Sequence, residues 1–269
     1  MLDAVIIGSG PAGLSAAINI RQRTLKALVV SLDRTSSGLY KASMIDNYPG
    51  IPTVSGAALS DKLTAHAIES GAEFVSGRIT SILPSDGTFC LGYGESVVTS
   101  RCIIMATGVA QTSLFPGEER LLGNGVSYCA TCDGMLFKGK RICAVCLSPD
   151  SDEEVDYLTS IGCDVIRIDT KKIVINGDTN LKSVTADGEE IACAGVFIFR
   201  QAVAPHLLLP ELNIEAGHIH ISPKGETNIP GVFAAGDCTG TPYQIAKAVG
   251  QGQIAALSAA QYLLRTAQN

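Results

Sequence analysis

Residues 5–13, Val-Ile-Ile-Gly-Ser-Gly-Pro-Ala-Gly, lead an apolar stretch into a glycine-rich turn. The short, wholly apolar run Ala4–Ile7 suits a parallel strand buried on both faces. Pro11–Arg23 reads as a helix with alanines on its packing side, and Ala27–Ser31 as a second strand. Together they span about 30 residues, the size of one βαβ unit. Gly8-Ser9-Gly10-Pro11-Ala12-Gly13 then fits G-x-G-x-x-G. Gly8 permits the sharp turn, Gly10 lets backbone approach a pyrophosphate, and Gly13 lets the helix pack closely on the strand. Phosphates would sit on free N–H groups at the helix N-terminus. An isolated match would be only a tight βα turn; the strand before it and the helix after it favour the dinucleotide. One departure concerns the ribose. The acidic residue that usually ends the second strand is replaced by Ser31, with Asp33 two residues further on.

The same theme begins again and fails. Arg141–Leu147 reads as a strand, but it enters Ser148-Pro149-Asp150-Ser151-Asp152 instead of glycines. Without glycine, backbone cannot come close to a pyrophosphate. Asp150, Asp152, Glu153 and Glu154 at the start of the next helix would repel phosphate, each pair at contact distance by about 1 kcal/mol or more. Those acidic groups cap the helix's own dipole.

The repeated strand–turn–helix theme predicts two Rossmann-like α/β domains, the second inserted into the first and reduced in size. The first comprises 1–115 and 214–269, the second 116–213. A loop bearing Asn47-Tyr48-Pro49-Gly50 leads to a helix over 56–70, then short strands at 74–76, 79–82 and 97–98. Cys102–Met105 is a buried strand ending in Ala106-Thr107-Gly108. The second domain holds a helix over 152–161, a strand over 164–168 and β-rich stretches up to Val196–Phe199. Gly231–Asp237 reads as a strand ending at a ligand, and Gln244–Arg265 as a long Ala-rich helix.

Composition narrows the function. A net charge of −6 gives no basic field for nucleic acid or an anionic membrane. No apolar run approaches the ~20 residues of a membrane span. The first residues read directly as a strand with no basic leader, which points to the cytoplasm. In that compartment nine cysteines mean mostly reduced thiols with one functional pair.

That pair is Cys129 and Cys132, in Cys-Ala-Thr-Cys-Asp-Gly. The spacing allows a small reversible disulfide ring, and a helix N-terminus can stabilise the thiolate. Asp133 could move the proton as general acid and base. Cys143 and Cys146 extend the pattern to C-x2-C-x10-C-x2-C, which resembles a zinc site. Residues three apart on a strand point to opposite faces, so the default for these two is buried structural thiols. Cys90, Cys102, Cys163, Cys193 and Cys238 take the same reading, and the four histidines show no ligand spacing.

Gly8–Gly13, Asn47-Tyr48-Pro49-Gly50, Ala106-Thr107-Gly108, Tyr128–Gly134 and Gly236-Asp237-Cys238 together resemble the low-molecular-weight thioredoxin reductase family, over nearly the whole chain. The resemblance implies a glutathione-reductase-type fold, FAD in the first domain, a mobile second domain carrying the disulfide, and a homodimer. By carry-over, Asp237 holds the ribityl chain, Asn47 lies beside the isoalloxazine ring, and Gln244 and Ile245 open a helix whose dipole favours a reduced flavin. Gly38, Leu39 and Ile79 join the cofactor-binding set. Cys132 faces the flavin and Cys129 attacks the partner disulfide.

Departures from the family refine this. NADPH-dependent members carry a His-Arg-Arg cluster where this chain reads Ile168-Asp169-Thr170-Lys171-Lys172. They also carry Gly-His-x-Pro where it reads Phe199-Arg200-Gln201-Ala202, and a helix beyond the cluster is missing here. The pattern is similar to the pyridine-nucleotide-independent, ferredoxin-dependent branch, as is Cys238–Gln244. The implied function is transfer of electrons from reduced ferredoxin through FAD and Cys129–Cys132 to thioredoxin or a thioredoxin-like protein. An NADPH-dependent or two-flavin oxidoreductase and a non-enzymatic flavin/thiol redox sensor stand as alternatives. An acidic ferredoxin would need a local basic patch, for which Arg21, Arg23 and Lys26, or Lys138, Lys140 and Arg141, are the candidates.

Overall fold

The computed structural model describes residues 1–267 except Asp33, 109–113, Cys129, 149–150 and 201–203; for Ser36 and Cys132 it describes the backbone alone. The chain divides into two units. One is Met1–Ala110 with Ala204–Asn269, the other Gln111–Val203.

The first unit begins β1 (Leu2–Ile7), α1 (Pro11–Arg21), β2 (Ala27–Ser31), α2 (Gly38–Lys41), α3 (Gly56–Glu69), β3 (Glu73–Ser76), β4 (Ile79–Ser85), β5 (Thr88–Tyr93) and β6 (Ser96–Met105). The strands lie in the order β3-β2-β1-β6-β5-β4. From β1 the chain winds outward through β2 to β3, then returns to β6 on the other side of β1. The switch point of the sheet therefore lies between the C-terminal ends of β1 and β6, where a doubly wound sheet binds its ligand. β6 is a finding. Val97–Val98 and Cys102–Met105, expected as separate strands, are one strand of 10 residues. Its first half pairs antiparallel with β5 and its second half parallel with β1. The polar Thr99-Ser100-Arg101 that masked this continuity is absorbed locally: Ser100 is buried and its hydroxyl donates to the Cys102 carbonyl at 2.7 Å.

The second unit runs α4 (Glu118–Leu121), β7 (Val126–Ser127), α5 (Ala130–Asp133), β8 (Arg141–Cys146), α6 (Ser151–Ser160), β9 (Asp164–Ile168), β10 (Ile173–Gly177), β11 (Leu181–Ala186), β12 (Glu189–Ala192) and β13 (Gly195–Phe199). A parallel sheet β7-β13-β8-β9 accompanies an antiparallel one, β10-β11-β12. β10 begins straight after Lys172, without a helix after β9. The core here is Ile142, Ala144 and Leu158 against Phe197 and Phe199, with Phe137 edge-on to Phe197 at 5.4 Å.

The chain re-enters the first unit at Ala204, about ten residues before the boundary read from sequence. α7 (Pro205–Leu208) packs against β4, and Leu208, Leu209 and Leu212 are buried. Apolar burial, not a turn signal, sets that boundary. At the other crossing, 111–115 fall with the second unit. β14 (Ile214–Glu215), β15 (His218–Ile219), β16 (Val232–Ala234) and α8 (Ile245–Thr266) complete the fold. β16 adds parallel to β6, and α8 lies against α1. A Cβ on Gly252 would collide with the Ala12 carbonyl, so the two helices meet backbone to backbone. Among the described residues no helix is long and apolar enough to cross a membrane.

Candidate active site

Most of the expected cofactor residues of the first unit meet at the switch point. Gly8 sits at the end of β1 with φ +110, a conformation that side chains strongly disfavour, and a Cβ there would collide with the Ala106 carbonyl. A Cβ on Gly13 would collide with the Gly8 carbonyl, so α1 starts as close to its strand as backbone allows. Around Gly10, by contrast, a Cβ would meet nothing within 4 Å. Gly10 caps α1 without a side-chain bond, and Pro11 opens the helix. The N–H groups of Ala12 and Gly13 are therefore left for a ligand on an open side. Ser9 is half-buried beside them.

Ala106 continues β6 and donates its N–H to the Ile7 carbonyl at 2.9 Å, which sets Ala106-Thr107-Gly108 against the Gly8 turn. Ser31 closes β2 and is half-buried, its carbonyl accepting from Gly77 N–H at 3.0 Å. Asp33 lies outside the described residues. Gly38 and Leu39 form the start of α2, which Ser37 caps through a 3.1 Å bond to Tyr40 N–H. Ile79 is 3% exposed, so its backbone rather than its side chain is what it can offer a ligand.

Gly236-Asp237 follows β16 on the far side of β6. The Asp237 Oδ1 atom is buried with no hydrogen-bond partner. Burial pushes its carboxyl pKa up, and the Lys247 ammonium pulls it partly back. A sealed, unpartnered carboxylate oxygen is costly unless a donor meets it, which is the situation of a group that awaits a hydroxyl. Two α8 residues that the sequence did not single out grip its loop. Gln251 accepts from Gly236 N–H at 2.9 Å and Thr239 Oγ1 at 3.1 Å. Lys247 donates to the carbonyls of Gly236 and Gly240. Their signal was present as polar residues four apart on the opening turns of an Ala-rich helix. Asn47 and Gln244, 197 positions apart, also come together: Asn47 Nδ2 donates to Gln244 Oε1 at 3.0 Å, and Gln244 caps α8 just before Ile245.

In the second unit, Cys129 lies outside the described residues, and Cys132 is described only as backbone in α5, a single helical turn. Asp133 ends that turn and accepts from Ser127 Oγ at 2.6 Å. Of the rival pair, Cys146 packs with the Ile142 and Ala144 cluster, whereas Cys143 lies against Cys193. The interaction between the two thiols lowers the Cys143 pKa and raises that of Cys193. Buried Cys102 and Cys238 are pushed up to about 12 and about 11 by desolvation, which makes them poor nucleophiles.

At the second switch point, between β8 and β13, the described residues on either side of Pro149 and Asp150 bond one another. Leu147 N–H bonds the Phe199 carbonyl at 2.9 Å. The Ser151 hydroxyl donates to the Ser148 carbonyl at 2.6 Å and accepts from its N–H at 3.3 Å. Pro149 and Asp150 are not described. Arg167, on β9, is held by Asp152 and by Asp169. The basic clusters are partly committed as well: Arg21 donates to the Leu25 carbonyl at 2.9 Å, and Arg141 pairs with Asp164 at 2.9 Å.

The pyridine nucleotide-disulphide oxidoreductase model matches residues 2–146 and 151–252. Thioredoxin reductase of Bacillus subtilis is 30% identical over 97% of this chain and 94% of its own, and that of Listeria innocua 32% over 97% and 93%. The chain belongs to the thioredoxin reductase family of pyridine nucleotide-disulphide oxidoreductases. FAD is the family's cofactor and that of this chain. The open Gly10 side, the uncapped α1 N-terminus and the unpartnered Asp237 oxygen fit it. A solved ferredoxin-flavin thioredoxin reductase of Clostridium acetobutylicum is 37% identical with a TM-score of 0.90, covering 100% of this chain and 99% of that one. Thioredoxin reductase of Lactococcus lactis is 31% identical with a TM-score of 0.62, covering 98% of this chain and 100% of that one.

Proposed function

We propose that this thioredoxin reductase takes its electrons from reduced ferredoxin and not from NADPH, and passes them through FAD and Cys129–Cys132 to thioredoxin or a thioredoxin-like protein. The observation that carries the donor assignment is the set of bonds and acidic groups that follows β8. Where a nucleotide phosphate would need glycine and bare N–H groups, Ser148 and Ser151 bond each other, Asp152, Glu153 and Glu154 fill the first turn of α6, and Arg167 is consumed by Asp152 and Asp169. The likeness to the Clostridium ferredoxin-flavin enzyme supports the same reading.

On this reading the backbone N–H groups of Gly8–Gly13 carry the pyrophosphate, Ser31 stands near the adenosine ribose, and Asp237 receives the ribityl hydroxyls. Ala106–Gly108, Gly38, Leu39 and Ile79 line the rest of the site, and Asn47, Gln244 and Ile245 flank the ring. Bound FAD supplies a two-electron store between a one-electron donor and a disulfide. Cys132 faces it; two electrons and two protons convert the Cys129–Cys132 disulfide to a dithiol. The Cys129 thiolate attacks the partner disulfide, one partner sulfur leaves as a thiolate, and a mixed disulfide forms. Cys132 then attacks Cys129, re-forming the internal disulfide and releasing the reduced partner. Asp133 returns the proton to the leaving sulfur. The chain works as a cytoplasmic homodimer, which sedimentation checks.

The test is anaerobic. Flavin absorbance and thioredoxin disulfide are followed with NADPH, with NADH and with chemically reduced ferredoxin. Bleaching and turnover with ferredoxin alone is the expected result. Rapid turnover with either nicotinamide would overturn the donor assignment. Charge reversal at Arg23 and Lys26, or at Lys138 and Lys140, then identifies the docking patch by loss of salt-dependent ferredoxin binding.

A further inference from the structure

Glu118 in α4 is fully buried, and every acceptor position of its carboxylate is used. Oε1 accepts from Tyr128 Oη at 2.9 Å and from Arg200 Nη1 at 2.5 Å. Oε2 accepts from Arg200 Nη2 at 2.7 Å and from the backbone N–H of Phe115 at 2.8 Å. The Arg200 guanidinium lies 4.8 Å from the centre of the Phe115 ring, a cation–π contact that also shields it from water. Burial pushes the Tyr128 phenol far up, with the Glu118 carboxylate adding to it, so that hydroxyl remains a donor.

The places of these residues along the chain are informative. Phe115 and Glu118 follow the crossing into the second unit, Arg200 lies a few residues before the crossing back, and Tyr128 is bonded covalently to Cys129. A buried ion pair adds little net stability, because desolvation of both charges offsets their attraction; its best-attested use is to fix one arrangement against its alternatives. Here the fixed arrangement includes the residue that carries Cys129. Tyr128 is tied to Glu118 through its hydroxyl, and the preceding Ser127 is tied to Asp133. Arg200 falls in the segment Phe199-Arg200-Gln201-Ala202, at the position where the Gly-His-x-Pro of NADPH-dependent members would read histidine.

We propose that Glu118 and Arg200 are positioning residues for thiol–disulfide exchange: the buried pair holds Tyr128, the residue that precedes Cys129 in the chain, in one arrangement. This rests on Cys129–Cys132 being the redox pair. Since single removal of either charge strands the other and can unfold the unit, the decisive variant is the apolar double E118L/R200M, with R200K and Y128F beside it. Each is assayed as the FAD-loaded chain for thioredoxin kcat and KM, for the midpoint potential of the dithiol in glutathione buffers, for thermal unfolding and for the flavin spectrum. In the double variant kcat, measured well below the unfolding transition, should fall about tenfold and the dithiol potential should move, with KM and flavin spectrum retained and the melting temperature lowered only by the donors of Tyr128 and Phe115 left without an acceptor. R200K should recover part of kcat, and Y128F, which leaves the ion pair intact, should lose about threefold. Wild-type kcat and potential in a folded double variant would overturn the proposal. So would activity losses that merely track unfolding, with Y128F unaffected. Turnover by a C129S protein would instead sink the assignment of the pair, so the two failures are distinguishable.

Discussion

The hydroxyl of Ser127 donates to Oδ2 of Asp133 at 2.6 Å, and the chain between them carries both cysteines of the redox motif. One side-chain bond thus closes a short loop around the pair. It ties one carboxylate oxygen of Asp133 to Ser127, and the proposed mechanism gives Asp133 the proton transfer. Ser127→Ala should lower thioredoxin kcat about fivefold without changing FAD content, and Asp133→Asn by about 10²-fold. Equal, near-wild-type rates for both would remove Asp133 from the proton path.

Cys129→Ser should abolish thioredoxin reduction while the protein stays yellow, because the residues proposed to hold FAD lie in the other unit. Mixed with oxidised thioredoxin, the Cys132→Ser protein should accumulate a mixed disulfide visible by mass spectrometry, because Cys129 can open the partner disulfide but no Cys132 thiol remains to release it. Full turnover by the Cys129→Ser variant is incompatible with the assignment.

A larger residue at Gly13 has nowhere to go, since its first side-chain carbon meets the Gly8 carbonyl. Gly13→Val should destabilise the protein by about 3 kcal/mol and weaken FAD retention together. Chemical denaturation followed by flavin release measures both. Gly10→Ala, where the structure is open, should leave stability within about 1 kcal/mol and act on FAD affinity alone.

Asp237 couples function against stability. Burial raises its carboxyl pKa above the unfolded value, so between the two values the folded apoprotein binds the extra proton. Stability of the apoprotein should therefore rise as pH falls through that window and be lower once Asp237 is ionised. Asp237→Asn should raise the melting temperature of FAD-free protein at pH 7 while weakening FAD binding about tenfold or more. Scanning calorimetry and flavin titration separate the effects; a variant that neither gains stability nor loses affinity would contradict the role.

How far these features were legible in the chain depended on their range. The Gly8–Gly13 turn, the strand ends at Ala106 and Asp237 and the failed turn at Ser148 are local, and a few adjacent residues carry each signal. β5 went unrecognised, and β6 was broken in two because the polar Thr99-Ser100-Arg101 falls where the strand exchanges β5 for β1 as its neighbour. The return to the first unit near Ala204 differs from the boundary read at 214, and there Leu208 and Leu209 are buried at the end of a short helix opened by Pro205.

The sequence by itself determined what is written into short stretches: two glycine-dependent folds of backbone, one intact and one ruined, and a Cys-x-x-Cys-Asp segment with its chemistry. Periodicity and steric exclusion act over a few residues, so reading them requires no knowledge of the distant chain. Only the tertiary structure decided which remote groups meet. It joined Asn47 to Gln244, brought Gln251 and Lys247 onto the Gly236 loop, and paired Glu118 with Arg200 across 82 positions. Such partnerships arise because a buried polar atom must be satisfied by whatever donor the fold delivers, and that delivery is a property of sheet order and helix contact, not of neighbouring letters.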